Sequence, residues 1–161
     1  MAGASGRVAL LSSLCSGKST WKIQARVVRI WEAYPVHDPL SPFALNLVLI
    51  DSHGTKIEAT ARKGLMAKFK SELSEEKVYR MSYFAVGANG GGFMASAHEY
   101  KILFNDKTKV KLEEDSMIPL NVYSFKNPAE ILATSNECDH LIGISVIATN
   151  VMLNIPMQER L

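Results

Sequence analysis

Alternation of apolar and polar positions runs through the first two-thirds of the chain and changes period once. Residues 21–31 (WKIQARVVRIW) are rich in β-branched and aromatic side chains and predict a first strand. Residues 32–42 hold three prolines and no apolar period, which predicts a long loop. Residues 43–51 predict a second strand with Phe43, Leu45, Leu47 and Leu49 on one face. A tight turn at 52–54 leads to a third strand over 55–62. There Thr55, Ile57, Ala59 and Ala61 point one way and Lys56, Glu58, Thr60 and Arg62 the other. Leu65, Met66, Phe69 and Leu73 then fall at helical spacing, a short amphipathic helix over 63–73. Residues 77–87 predict a fourth strand, 88–92 (ANGGG) a flexible turn and 93–104 a fifth strand; 105–116 read as a polar exit. A short helix at 128–133, with Pro128 in its first turn, and an apolar strand at 140–153 follow.

Three strands, one helix and two strands, in that order, are the signature of the OB-fold. The fold class expected is therefore all-β with one short helix, a five-stranded Greek-key OB barrel. The expected domains are a lead-in at 1–18, the barrel at 19–112, a linker at 113–139, and at 140–161 the start of an incomplete second OB domain. With 161 residues and 47% apolar composition, about one domain with a real core is expected. The net charge of +2 confines any nucleic-acid surface to a local patch. Cys15 and Cys138 match neither a zinc spacing nor a disulfide framework. No run approaches the length of a membrane span, so no membrane partner is expected.

The stretch CSGKST at 15–20 tests a nucleotide-hydrolase reading. A phosphate loop needs a glycine five residues before Gly17, where this chain has Ser12. It also needs a helix to follow, to hold the anion at its N-terminus, and a strand is predicted instead. SGKST reads as the turn into the first strand. His37 and His98 have no metal-ligand partners at spacing. The acidic residues Asp38, Asp51, Glu113, Glu114 and Asp115 form no acid–base pair, and there is no nucleophile motif. No enzymatic activity, cofactor, metal or small-molecule substrate is expected.

The ordered set of motifs resembles a family. LLSSLCSGKSTWKIQARV, LVLIDSHGTKIEATA, KVYRMSYFAV with ANGGGF, HEYKILFNDKTKV and SFKNPAEILATSNECDHLIGI together resemble the first single-stranded-DNA-binding OB domain of the replication protein A large subunit. The form it resembles is the divergent one abundant in plants. The resemblance implies single-stranded DNA as partner, with RNA open, other replication protein A-like subunits, a role in replication, repair or recombination, and a nuclear location. It also implies a site on the outer face of strands two and three and on the two loops beside it. Of the family's two stacking aromatics, one carries over to Phe93. The other position holds Arg62, whose guanidinium plane can stack on a base and meet a phosphate. A basic residue of the family is here Glu58, which repels phosphate unless Lys56 or Arg62 neutralises it. An acidic one is here Lys101.

The expected nucleic-acid-binding residues are Arg29, Trp31, Lys56, Thr60, Arg62, Phe93 and Lys101. The cations track phosphates; Phe93 and Trp31 offer stacking surfaces, with Tyr34 a further candidate in the loop. Strand one bends in such a fold, which leaves the faces of Arg26 and Arg29 open. Two other readings stand beside this one: a protein-docking OB module of a replication or repair complex, and a truncated copy whose apolar 140–153 strand lacks a partner.

Overall fold

The structure, a computed structural model, describes residues 7–90, 94–114 and 117–118. The stacking candidate Phe93, the helix expected at 128–133 and the strand expected at 140–153, with the second domain it would begin, lie outside the described residues. Seven strands and one α-helix follow in order: β1 (Lys22–Ala33), β2 (Ala44–Ile50), β3 (Lys56–Arg62), α1 (Lys63–Glu72), β4 (Val78–Ser82), β5 (Ala85–Ala88), β6 (Tyr100–Leu103) and β7 (Lys109–Glu113). A 3-10 turn at Leu11–Ser13 precedes them.

All seven strands form one curled sheet, ordered β5-β6-β3-β2-β1-β4-β7. β4 pairs with β1 at one side and β5 with β6 at the other, yet only two residues separate them in the chain. They are the halves of one bent strand, and the bend closes the curl. This is the OB topology, with β7 added at the edge beyond β4.

Two strand expectations and the polar exit need correction. The strand expected at 77–87 breaks because Tyr83 takes a left-handed conformation (φ 60°) and turns the fully buried Phe84 into the core. The strand expected at 93–104 is regular only over Tyr100–Leu103. The stretch taken for a polar exit contains β7, whose lysines mask a period-two pattern: Lys109 and Lys111 are exposed while Val110 packs against the core. An Asn105–Thr108 turn starts it; Thr108 Oγ1 accepts from the Asn105 amide at 3.0 Å, and Asn105 Oδ1 accepts from the Lys107 amide at 2.9 Å.

Inward positions follow the period. Ile23, Ala25 and Val27 of β1, Leu45, Leu47 and Leu49 of β2, Ile57, Ala59 and Ala61 of β3, Met81 of β4 and Ile102 of β6 fill the barrel. Phe43 departs from the expected face: it sits just before β2 and is 53% exposed. The helix lies where its spacing predicts and closes one end with Met66 and Phe69, followed by Leu73; Phe69 meets Phe104 at 4.6 Å between ring centroids. Leu11 and Leu14 of the lead-in and Trp21 complete the core. Gly17 turns the chain at φ 89° and β1, not a helix, follows; Lys18 Nζ rests 4.3 Å from the Trp21 ring centroid.

Glu76 is a second non-glycine residue with left-handed backbone, at φ 66°. The turn is fixed from both sides: its amide donates to the Val27 carbonyl at 2.8 Å, and its own carbonyl accepts from Arg26. Glu76→Gly relieves the Cβ clash, about 1–2 kcal/mol, against about 0.4–1 kcal/mol of added unfolded-chain entropy. The expected outcome in urea denaturation is a net gain of about 0.5–1 kcal/mol.

Candidate nucleic-acid interface

The outer face of the sheet is built around a bulge. Before it, the odd-numbered residues of β1 point into the barrel. Between Val27 and Arg29 the register with β2 shifts by one residue. An extra residue in one strand reverses the parity of everything after it. Ile30 therefore faces inward, opposite Leu47, and Arg29 and Trp31 turn outward.

Cross-strand pairing then sets the outer face in rows. Trp31 stands opposite Asn46, which stands opposite Thr60, and Thr60 is beside Leu103 of β6. Arg29 stands opposite Val48, and Val48 opposite Glu58. Lys101 lies two residues before Leu103 on the same face, opposite Gly87. Ala33, Ala44 and Arg62 form the row at one end; Arg26, Ile50 and Lys56 form the row at the other. The sheet thus brings Arg29, Trp31, Lys56, Thr60, Arg62 and Lys101 onto one surface. Arg29 and Arg62 are exposed; Trp31, Lys56, Thr60 and Lys101 are half-buried.

The polar contacts across this face are specific. Thr60 Oγ1 donates to Asn46 Oδ1 at 3.0 Å. Arg29 Nη1 lies 3.5 Å from Glu75 Oε2, and Glu75 Oε1 accepts from the Ile30 amide at 2.9 Å. Both partners of that ion pair are substantially exposed, so it is a weak competitor for Arg29. Glu58 is only 8% exposed, and its Oε2 accepts from the Ala95 amide at 3.2 Å. Its carboxylate anchors the segment before β6, a role that neither spacing nor resemblance indicates. Asn89 narrows the neck of the same loop: its Nδ2 donates to the Ser96 and His98 carbonyls, at 3.3 and 3.0 Å.

Arg26 belongs to the structure and not to the groove. It donates to the carbonyls of Glu76 and Ile118. Ile118 packs on Ile50 and Val78, with Val28 beside them, and covers that end of the outer face. The open part of the face is therefore the end carrying Trp31, Asn46, Thr60 and Arg62. Asn46 was legible only as the polar gap between Leu45 and Leu47.

The loop at 34–43 stands beside this open end and contains no lysine or arginine. Its base is tied by Glu32, which accepts from Lys70 Nζ at 2.7 Å and from the Tyr34 hydroxyl at 2.6 Å. The Lys70 hydrogen bond and then that of Tyr34 hold the Glu32 carboxyl below its ordinary value of 4.5. The same contacts raise Tyr34 above 10.0 and Lys70 above 10.5. A lowered carboxyl stabilises the folded state above its unfolded pKa and loses that effect as pH falls through the folded one. Raised Tyr34 and Lys70 act on the alkaline side, where their contribution is lost as pH rises through the folded values. The tie is therefore complete from just above pH 4.5 to just below 10. A carbon-detected NMR titration of Glu32 is expected to give a midpoint under 4.5 that moves up in Lys70→Met.

Among the described residues no cluster of His, Cys, Asp or Glu is placed to hold a metal ion, and no helix is long and apolar enough to cross a membrane.

A family model described as "Domain of unknown function DUF223" matches residues 12–134. Among solved structures, a chain of a replication protein A heterotrimer bound to single-stranded DNA superposes with a TM-score of 0.61 at 22% identity, over 80% of this chain and 30% of that one. DNA-binding domain A of replication protein A from S. cerevisiae superposes with a TM-score of 0.53 at 24% identity, over 68% of this chain and 96% of that one. The fold is thus that of the replication protein A OB domains, and this chain spans less than a third of the heterotrimer chain it matches. No curated protein sequence matches.

Proposed function

The chain belongs to the DUF223 family, and we propose that it is a non-enzymatic single-stranded-DNA-binding OB domain of the replication protein A large-subunit type. It would act in replication, repair or recombination in the nucleus, alongside other replication protein A-like subunits, with RNA as the other ligand to test. The observation that carries this reading is the bulge in β1. It places Trp31 and Arg29 on the same outer face as Thr60, Arg62 and Lys101. An aromatic surface flanked by separated cations suits a strand whose bases stack while its phosphates run along the edges. The solved relatives support it: one was captured on single-stranded DNA, and the other is named a DNA-binding domain. Sequence preference from stacking alone is slight, because every base has a π-face.

The test is fluorescence anisotropy with a labelled strand of about 20–30 nucleotides, which covers more than one OB site. Duplex of the same sequence serves as competitor. Three to four phosphate contacts predict a slope of about −2 to −3 in log K against log salt. Binding that is indifferent to strandedness, or absent at low salt, would contradict the proposal.

A second reading rests on the loop at 34–43. Val36 is 94% exposed, Leu40 91% and Phe43 53%, in a segment without cations. That composition fits a protein surface better than a phosphate backbone. Under this reading oligonucleotides do not bind, and a subunit of a replication or repair complex does.

A further inference from the structure

We propose that Ser41 is a phosphorylation site for a proline-directed protein kinase, and that a phosphate there weakens single-strand binding by neutralising the cations at the open end of the outer face. The weakening rests on the single-strand reading above; the modification does not.

The sequence and the loop both point to Ser41. Of the six prolines in the chain, only Pro42 follows a serine or threonine. A proline after the acceptor removes the next N–H and keeps Ser41 from helical backbone. It thereby narrows the kinases to those whose cleft takes a proline at that place. Ser41 is half-buried and its neighbour Leu40 is exposed. Among the described residues no backbone–backbone hydrogen bond holds residues 39–42. Two exposed contacts do: the Leu40 amide donates to Asp38 Oδ1 at 3.2 Å, and Lys63 Nζ donates to Ser41 Oγ at 2.9 Å. Few bonds are therefore lost when the segment enters a kinase cleft.

The transfer joins Ser41 Oγ to the γ-phosphorus of ATP as the bond to the bridging β–γ oxygen breaks. ADP leaves, and the hydroxyl proton passes to the kinase's catalytic carboxylate. What surrounds the hydroxyl then receives the product. Lys63 Nζ already donates to Ser41 Oγ, so a phosphate there meets an ammonium. Arg62, one residue earlier, is exposed and stands opposite Ala44, three residues on from Ser41. Among the described residues neither Arg62 nor Lys63 has a carboxylate partner. A phosphoserine carries about −1.5 to −2 charges at neutral pH, which cancels those of the two cations. Arg62 is then withdrawn from the DNA backbone, and the open end no longer attracts it.

The experiment incubates the full chain with ATP and a purified proline-directed kinase, either cyclin-dependent or mitogen-activated, and maps the phosphate by mass spectrometry. Phosphate is expected on Ser41, with its incorporation lost in Ser41→Ala. Anisotropy with labelled oligo(dT) then compares the modified and unmodified chains. Affinity is expected to fall about five- to fiftyfold at low salt, and the salt slope to flatten by about 1, for the one phosphate contact given up. Phosphorus NMR reads the contact itself. The titration midpoint of the phosphate is expected below the ordinary phosphoserine value of about 6, and to rise in Lys63→Met. No phosphate on Ser41 from either kinase would overturn the proposal. So would a midpoint that Lys63→Met leaves in place, or an unchanged affinity of the modified chain where the unmodified chain binds. Failure of the unmodified chain to bind the strand would instead overturn the single-strand reading itself.

Discussion

Asp51→Ala is expected to destabilise the protein by about 3–4 kcal/mol and to release the lead-in segment from the barrel. Asp51 is 2% exposed, at the end of β2. Its Oδ2 accepts from the Leu11 amide at 2.9 Å, and its Oδ1 accepts from the His53 and Thr55 amides, each at 3.0 Å. Two of these bonds set the β2–β3 turn that fixes Gly54 at φ 81°. The third reaches across 40 residues to the 3-10 turn that buries Leu11. Truncation leaves the buried Leu11 donor unpaired at about 1–3 kcal/mol and removes two charge-assisted bonds that water only partly replaces. Asp51→Asn is expected to recover little, because its amide turns a donor toward a donor at one side or the other. Urea denaturation gives the magnitude. Limited proteolysis gives the mechanism: cleavage after Lys18 should accelerate in Asp51→Ala well before global unfolding. A loss under 1 kcal/mol would mean that water or the His98 contact, whose Nε2 lies 2.9 Å from the Leu11 carbonyl, holds the lead-in without Asp51.

Trp31→Ala is expected to weaken single-strand binding by about 1–3 kcal/mol, roughly five- to 150-fold in Kd, with the fold intact. Trp31 is half-buried on the outer face, where its neighbour across the pair is Asn46 and not a core residue. The adjacent inward position is held by Ile30, which packs on the core and stays in place. Trp31→Phe is expected to recover most of the affinity, since a smaller ring still offers a π-face. Anisotropy titrations of the three proteins decide it. Equal affinities would assign Trp31 to bracing the loop beside it and move the stacking surface elsewhere on the sheet.

Much of the fold is legible in the residues because period and environment agree. β3 alternates cleanly, β2 keeps a leucine at every second, inward position, and the helix between β3 and β4 repeats its apolar positions at helical spacing. What was not legible has definite causes. The bulge inserts one residue within the run ARVVRIW, where apolar and basic side chains alternate in either phase. Its presence decides whether Arg29 and Trp31 face the core or the outer surface of the sheet. β7 was hidden by its lysines, because an edge strand needs only one inward side chain, Val110, to hold its register. The split between β4 and β5 depends on Tyr83 adopting a left-handed backbone, which composition does not announce. Among the site residues, alternation alone placed Lys56, Thr60 and Arg62 on one face. Arg29 and Trp31 required the bulge, and the anchoring role of Glu58 required the distant Ala95 amide.

The claim that the outer face around Trp31 is the single-strand site is tested most directly by NMR. Backbone and indole resonances of the ¹⁵N-labelled chain would be followed while a strand of about 15 nucleotides is added, near the upper size of one OB site. The largest shifts are expected at Arg29, Trp31 including its indole N–H, Asn46, Thr60, Arg62 and Lys101, with Ile50, Val78 and Ile118 unmoved. Shifts centred on the covered Ile50–Val78–Ile118 end, or none at a saturating strand concentration, would contradict it.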